Sequence, residues 1–450
     1  MKFIKTIILF LICCSSAIAQ VKHVILISID GFHPDVYLEN TWPCQNLHYL
    51  VSKGTYANQM FSVFPAYTHP SHAAMITGAL PARSKVTYNQ PVNSTGDWNW
   101  FYNEIKVPTI FDALNKAGLK SAAVMWPNVV DGPITYNLGE IWDSKHPDDR
   151  ATPVRAHALP KGIYEEVERN ATGKLDSTSM NDNFFSLDEN TGRMAAYIFK
   201  TYKPSLMAVH FACVDGAEHD YGRDADSVRM ALEADDRAIG DIIQAVKQSK
   251  EEGSTAFIIV GDHGFTDIHE AMRPNMLIKD LPAKFVTAGG SCFLYYISGK
   301  SMSNSDLVKA VKDSLGKLPA ERRKQFRIVE RAELDQMGAD SGTVLALAAK
   351  PGLVFSASIV SKPKTNYGPG TGIQNNPLEG VYVPVSGGHH GNDPNEPLMY
   401  TGFIASGAGI IKGGHIPEMR VVDISPLIAK LLGIEFKVPD GKLVPGISSN

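Results

Sequence analysis

Two short runs, residues 24–29 (VILISI) and 256–260 (AFIIV), are apolar with almost no alternation, and each ends within two residues of an aspartate. A strand that is apolar on both sides must be covered on both faces, which is the situation of a central strand in a parallel sheet. The neighbouring sequence supplies the covers. Helix-like periodicity over 46–52 ends at Gly54, and a second helix is expected over 108–117 with Gly118 as its stop signal. Strands are expected over 119–125 and 206–213, and a long amphipathic helix over 226–247. A late helix is expected over Ile424–Leu432. This alternation predicts an α/β fold with a mostly parallel central sheet flanked by helices on both faces.

Residues 271–384 break the rhythm with Pro and Gly turns, a helix expected near 304–315, and short strand-like pieces at 291–297 and 342–349. Residues 366–372 (NYGPGTG) read as a loop. The expected division is a core of residues 20–270 and 385–450 carrying an α+β insertion of residues 271–384. With 450 residues, 44% of them hydrophobic, the chain can build a large core.

Residues 1–19 fit an export signal. Lys2 and Lys5 lead a short apolar stretch, and Ala17-Ile18-Ala19 satisfies the small-x-small cleavage rule. The stretch falls short of the roughly 20 apolar residues that span a bilayer. The expectation is an exported protein, periplasmic or extracellular, whose mature chain has no membrane span. Cys44, Cys213 and Cys292 are too few and too scattered for a disulfide framework or a CxxC metal site. At most one bridge could form, and Cys213 reads as a buried thiol. The charge of −4 and the lack of a basic block argue against duplex nucleic acid as a partner.

The chemistry-bearing residues fall in scattered segments: ILISIDGF (Asp30), FPAYTHPSH (Thr68), VDGAEHDYG (Asp215, His219), IIVGDHGF (Asp262, His263) and GGHHGND (His390). Open α/β sheets place their sites at the carboxyl ends of strands, where most of these acids fall. The glycines of the Gly-Asp-His-Gly loop permit close backbone approach, and His389-His390 lies in a glycine-rich loop without core periodicity. Hard oxygen plus imidazole, with no thiolate, favours Zn²⁺ and then Mn²⁺. Two such ions about 4 Å apart suit an in-line displacement at phosphorus. Thr68 is the candidate nucleophile, with Pro65 and Pro70 stiffening its turn and a helix expected from residues 71–77. His72 and Tyr221 read as packing residues, and His210, inside an apolar strand, as a core histidine.

Taken together these segments resemble the nucleotide pyrophosphatase/phosphodiesterase family of the alkaline phosphatase superfamily. Phe64-Pro65-Ala66-Tyr67-Thr68 is similar to that family's nucleophile segment. Residues 214–222 resemble its P-D-x-x-G-H-x-Y-G motif, residues 261–265 its S-D-H-G-M, and His390-Gly391-Asn392-Asp393 its H-G-x-D-N loop. The resemblance implies one zinc on Asp215, His219 and His390, and another on Asp30, Thr68, Asp262 and His263. It also implies that Asn89, which follows Thr77-Gly78-Ala79-Leu80-Pro81, donates to a nonbridging phosphate oxygen.

The match departs at His69, where nucleotide-cleaving members carry a Phe that stacks on the base; His69 is a candidate substrate contact. His389 is either a support for the centre or a ligand in its own right. The segment after Leu119 lacks the Lys-x-Arg pair of some monoesterases, and the sulfatase motif is absent. The expectation is therefore a hydrolase of small-molecule phosphodiesters or nucleotide phosphoanhydrides working through a phosphothreonine. Phosphomonoester or phosphonate hydrolysis, and a non-catalytic metal- or glycan-binding protein, are the alternatives.

Overall fold

A computed structural model describes residues 20–92, 94, 96–147, 149–181, 185–297, 302–358 and 380–449. The expected export signal (1–19) and the loop at 366–372 lie outside the described residues.

The main sheet has eight strands: β1 (His23–Ile29), β2 (Gly54–Ala57), β3 (Ser121–Val124), β4 (Tyr136–Leu138), β5 (Leu206–Phe211), β6 (Thr255–Gly261), β7 (Phe403–Gly407) and β8 (Gly414–Ile416). Their order is β8-β2-β7-β6-β1-β5-β3-β4. The stretch from β6 to β4 is parallel throughout. β7 runs antiparallel to both of its neighbours, β6 and β2. The sheet is thus mixed, which corrects the expectation of a mostly parallel architecture. The reason is physical: a strand buried on both faces reads the same in either direction.

Both faces are covered, as the uninterrupted apolar runs require. Ile25, Ile27 and Ile29 point into one core, shared with the helices α1 (Gln45–Lys53), α4 (Ser186–Tyr202), α5 (Cys213–Tyr221) and α6 (Asp226–Gln248). Val24 and Leu26 point into the other, shared with α2 (Thr68–Thr77), α3 (Ile110–Lys116) and α7 (Ile424–Leu432). Local signals set the ends of these helices. Thr109 caps α3 by accepting from Phe111 and Asp112 N–H, and Gly118, at φ 70°, releases the chain. Gly192 lets α4 approach α6, since a Cβ there would lie 2.6 Å from that of Ala238.

Two elements differ from the sequence reading in ways that matter for the site. α2 starts at Thr68, three residues before the expected start at 71, because Pro70 is tolerated in a first turn whose N–H groups have no intrahelical partner. Residues 213–221 form a helix, α5, which begins on the last residue of the strand expected over 206–213.

A second sheet is fully antiparallel, in the order Phe326–Val329, Ala346–Ala349, Ser291–Tyr296, Ala283–Ala288. Helix Asn304–Gly316 buries Leu307, Val311 and Leu315 against it. Strand Thr266–Met272, which straddles residue 271, pairs with Gly352–Phe355, Tyr382–Pro384 and Gly388–His389. The cysteines Cys44, Cys213 and Cys292 are buried free thiols. Among the described residues no helix is long and apolar enough to cross a membrane.

Candidate metal centre

Asp30 and Asp262 follow β1 and β6 directly, and these strands pair in parallel with Ile29 opposite Gly261. The sheet itself therefore delivers two carboxylates side by side. Asp215 and His219 come from α5, which follows β5 on the other side of β1; a spacing of four puts both on one face of the helix. The α5 N-terminus is pinned by the buried Asp188, which accepts from Ala212 N–H at 3.0 Å and Cys213 N–H at 2.6 Å. His390 arrives on the loop after Gly388–His389.

These groups converge. His263 Nε2 lies 3.1 Å from Asp30 Oδ1, 3.1 Å from Asp262 Oδ2 and 4.0 Å from Asp215 Oδ1. The Asp215 carboxylate is 3.5 Å from the Nε2 atoms of both His219 and His390. The rings of His263 and His390 stack at 3.6 Å. Thr68 Oγ1 stands 3.4 Å from His263 Nε2. The sites expected from sequence thus meet at one place, Asn89 and His69 adjoining through the Thr68 turn.

Three observations show that the centre fits divalent cations. Asp30, Asp262 and His263, and again Asp215, His263 and His390, hold their donor atoms within 4.8 Å of one another. Asp30 Oδ1, Asp215 Oδ1 and Asp262 Oδ2 are buried oxygens with no hydrogen-bond partner, a costly state for a carboxylate that nothing neutralises. Burial pushes each of these three carboxyls up to about 7. The histidines also take the tautomer that ligation needs. The Nδ1 atoms of His219, His263 and His390 lie 3.1, 3.2 and 3.0 Å from the carbonyls of Gly388, Gly264 and Ala66. Donation there leaves the Nε2 lone pairs facing inward.

His389 is set differently. Its Nδ1 accepts from the His390 backbone N–H at 2.9 Å, and burial lowers its pKa to about 3, so the neutral ring carries its proton on Nε2. This favours a supporting role over ligation, although the ring sits against His219.

The glycines act as their spacing suggests. A Cβ at Gly261 would lie 2.3 Å from Phe32 O, and one at Gly264 2.1 Å from Leu398 O. Gly31, at φ +77°, leaves room for the buried Glu218 carboxyl. Gly31 N–H donates to Asp262 Oδ1 at 3.1 Å, which turns Oδ2 toward His263.

Asn89 Oδ1 accepts from the His69 backbone N–H at 3.0 Å. This fixes the amide and leaves its Nδ2 as the available donor beside Thr68. The His69 ring has no exposed surface. Its Nδ1 lies 3.0 Å from Asn99 O and 3.0 Å from the Asn128 amide, and the ring packs edge-on with Trp98 and Trp100. His72 reaches back 2.8 Å to Thr68 O and packs on Trp126, as a packing residue should. Tyr221 is exposed, not packed as expected, because the helix ends there at Gly222. Two contributors were missed. Asp188 gives no signal in an amphipathic helix, and His210, expected to be a core histidine, places Nε2 3.2 Å from Asp30 Oδ2.

Carboxylates and imidazoles gathered at the ends of parallel strands, with a hydroxyl at their edge, define a metal-dependent hydrolase of the α/β class. The family model for type I phosphodiesterase / nucleotide pyrophosphatase matches residues 24–371. The chain belongs to that family, within the alkaline phosphatase superfamily. Ectonucleotide pyrophosphatase/phosphodiesterase family member 7 of Rattus norvegicus is 21% identical over 448 residues, covering 95% of this chain and 87% of the relative. The venom phosphodiesterase of Macrovipera lebetinus is 24% identical over 313 residues, 61% of this chain and 32% of the relative. The solved structure of murine ectonucleotide pyrophosphatase/phosphodiesterase 5 shares the fold, with a TM-score of 0.66 at 18% identity, covering 95% of this chain and all of that one.

Proposed function

We propose that the chain is an exported phosphodiesterase or nucleotide pyrophosphatase that works with two zinc ions, manganese being a possible substitute, and passes through a phosphothreonine. The carrying observation is that Thr68 Oγ1 lies 3.4 Å from His263 Nε2, at the edge of the unpartnered carboxylates. Asp30, Thr68, Asp262 and His263 would hold one ion, and Asp215, His219 and His390 the other. When bound, such ions supply Lewis acidity at the attacking and leaving oxygens.

The chain's own groups do the rest. Thr68 sits at the first position of α2, so its hydroxyl stands at the positive end of that helix's dipole, which favours an anionic phosphoryl group beside it. Its oxygen bonds to phosphorus as the bond to the leaving oxygen breaks, and water then cleaves the phosphothreonine and restores the hydroxyl. Asn89 Nδ2 donates to a nonbridging oxygen while its Oδ1 stays on the His69 N–H. Among the described residues no Lys or Arg pairs with Asp30, Asp215 or Asp262. The segment after Leu119, which has no Lys-x-Arg pair of the kind some monoesterases use, supports a singly charged diester over a doubly charged monoester. A threonine-to-alanine variant of the murine relative is described as inactive and in complex with AMP, which supports both the nucleophile and a nucleotide as substrate class. The region 271–384 would act as a cap beside the centre.

The test is hydrolysis of bis-p-nitrophenyl phosphate against p-nitrophenyl phosphate, with and without chelator. Faster, chelator-sensitive diester cleavage is expected, and Thr68→Ala should abolish it while leaving zinc content intact. Faster monoester cleavage would replace the reading with a phosphatase. Zinc binding without turnover of either would favour a binding protein.

A further inference from the structure

His210 is a histidine in the middle of an apolar strand, and its ring bridges three strands. It belongs to β5. Its Nε2 lies 3.2 Å from Asp30 Oδ2, beyond the end of neighbouring β1. Its Nδ1 lies 3.2 Å from the carbonyl of Met125, just past β3 on the other side. The buried carboxyl of Glu140 stands 3.7 Å behind that nitrogen. The ring of His72 packs edge-on at 4.6 Å. The imidazole therefore has little room to turn, and its partner is one oxygen of a carboxylate whose other oxygen accepts no hydrogen bond. That other oxygen, Asp30 Oδ1, is the one 3.1 Å from His263 Nε2.

A carboxylate on an unrestrained side chain can rotate either oxygen inward, and each wrong orientation weakens a metal site. We propose that His210 is a positioning residue: both of its nitrogens face oxygens and the ring donates from both, unlike the three ligand histidines, so that Nε2 holds Asp30 Oδ2 and Oδ1 faces the centre. Met125 O and His72 keep the ring in plane. The inference rests on the reading of Asp30 as a metal ligand, and it adds a residue that does not itself touch the ions or the substrate.

The test uses the full mature chain, stripped and then titrated with zinc against a chromophoric chelator, with the thermal midpoint of the stripped form as a check on folding. His210→Phe keeps a flat ring without a donor. His210→Gln keeps an N–H that can reach Asp30. H210F should lose affinity for one of the two ions by about 10- to 100-fold, the usual effect of removing such a partner. H210Q should recover most of that loss, which a merely space-filling role would not produce. If H210F does not fold when stripped, His210→Asn, whose shorter amide stops short of Asp30, takes its place. A folded H210F that holds both ions as tightly as the unaltered chain overturns the positioning role, as does equal affinity in H210N and H210Q. An unaltered chain that binds no zinc overturns the metal reading and this inference together.

Discussion

Gly290 donates its backbone N–H to the carbonyl of His390 across 2.8 Å, so the tight turn between two strands of the second sheet props the loop that brings His390 to the centre. The turn needs glycine for two reasons. Gly289 has φ +57°, and a Cβ on it would lie 2.1 Å from His390 O and 2.6 Å from His389 Nδ1. Gly289→Ala should therefore destabilise the protein by about 1–3 kcal/mol, combining backbone strain with overpacking. It should also weaken zinc binding at the His390 side. Thermal unfolding and zinc titration check this, and a variant unchanged in both would show that the turn does not hold the loop.

Asp188 works on the opposite flank. It spends both carboxylate oxygens on the first N–H groups of α5, the helix that carries Asp215 and His219. An acid at a helix N-terminus is favoured by the unsatisfied N–H groups and by the helix dipole. Asp188→Ala leaves the buried Cys213 N–H and the half-buried Ala212 N–H unpaired, so a loss of about 1–3 kcal/mol is expected, together with weaker metal binding. Denaturant unfolding of the stripped and loaded forms separates the two effects. An unchanged midpoint in the stripped form would refute the capping account.

The three central carboxyls make metal and pH act together. Burial raises Asp30, Asp215 and Asp262 to about 7 when no cation neutralises them. An unfolded Asp titrates near 3.9. Between about pH 4 and 7 the folded, stripped protein thus holds protons that the unfolded chain has released. Its stability is fully present below the unfolded value and falls as pH rises through the folded one. A divalent cation bound there would displace those protons and remove the penalty. The thermal midpoint of stripped protein should drop from pH 5 to pH 8 more steeply than that of loaded protein. Zinc added near pH 7 should release protons into a weakly buffered solution. Parallel pH curves with no proton release would contradict the raised carboxyls.

What could be read from the sequence follows from what its patterns encode. Asp30 and Asp262 stand next to strands whose burial on both faces leaves an unmistakable apolar run, so their placement at strand ends was legible. His390 was legible because a glycine-rich loop gives an imidazole no core to join. The direction of β7 was not, since Phe403–Gly407 would look the same in a parallel sheet. Nor was His210: a histidine in an apolar strand acquires its meaning only from Asp30, 180 residues away in the chain. Asp188 is hidden for the same reason, its partners lying 24 and 25 residues away in the chain, at the start of α5.

Asn89 and His69 separate chemistry from support within one hydrogen bond. The bond from His69 N–H to Asn89 Oδ1 uses the backbone of position 69, so the imidazole is not needed to orient the amide. The ring instead packs edge-on against the stacked pair Trp98 and Trp100. Asn89→Ala removes the donor proposed to meet developing charge, and should lower kcat for a diester by roughly 10²–10³-fold, about 2.7–4 kcal/mol, with KM moved far less. His69→Phe keeps the backbone donor and a ring of similar size. It should retain kcat within about tenfold, at the cost of the Asn99 contact, worth about 1 kcal/mol of stability. Steady-state kinetics on both variants decide the matter. If His69→Phe lost as much kcat as Asn89→Ala, the imidazole would have to reach the phosphoryl group, and the buried pose against the two tryptophans would not be the one in which the protein turns over.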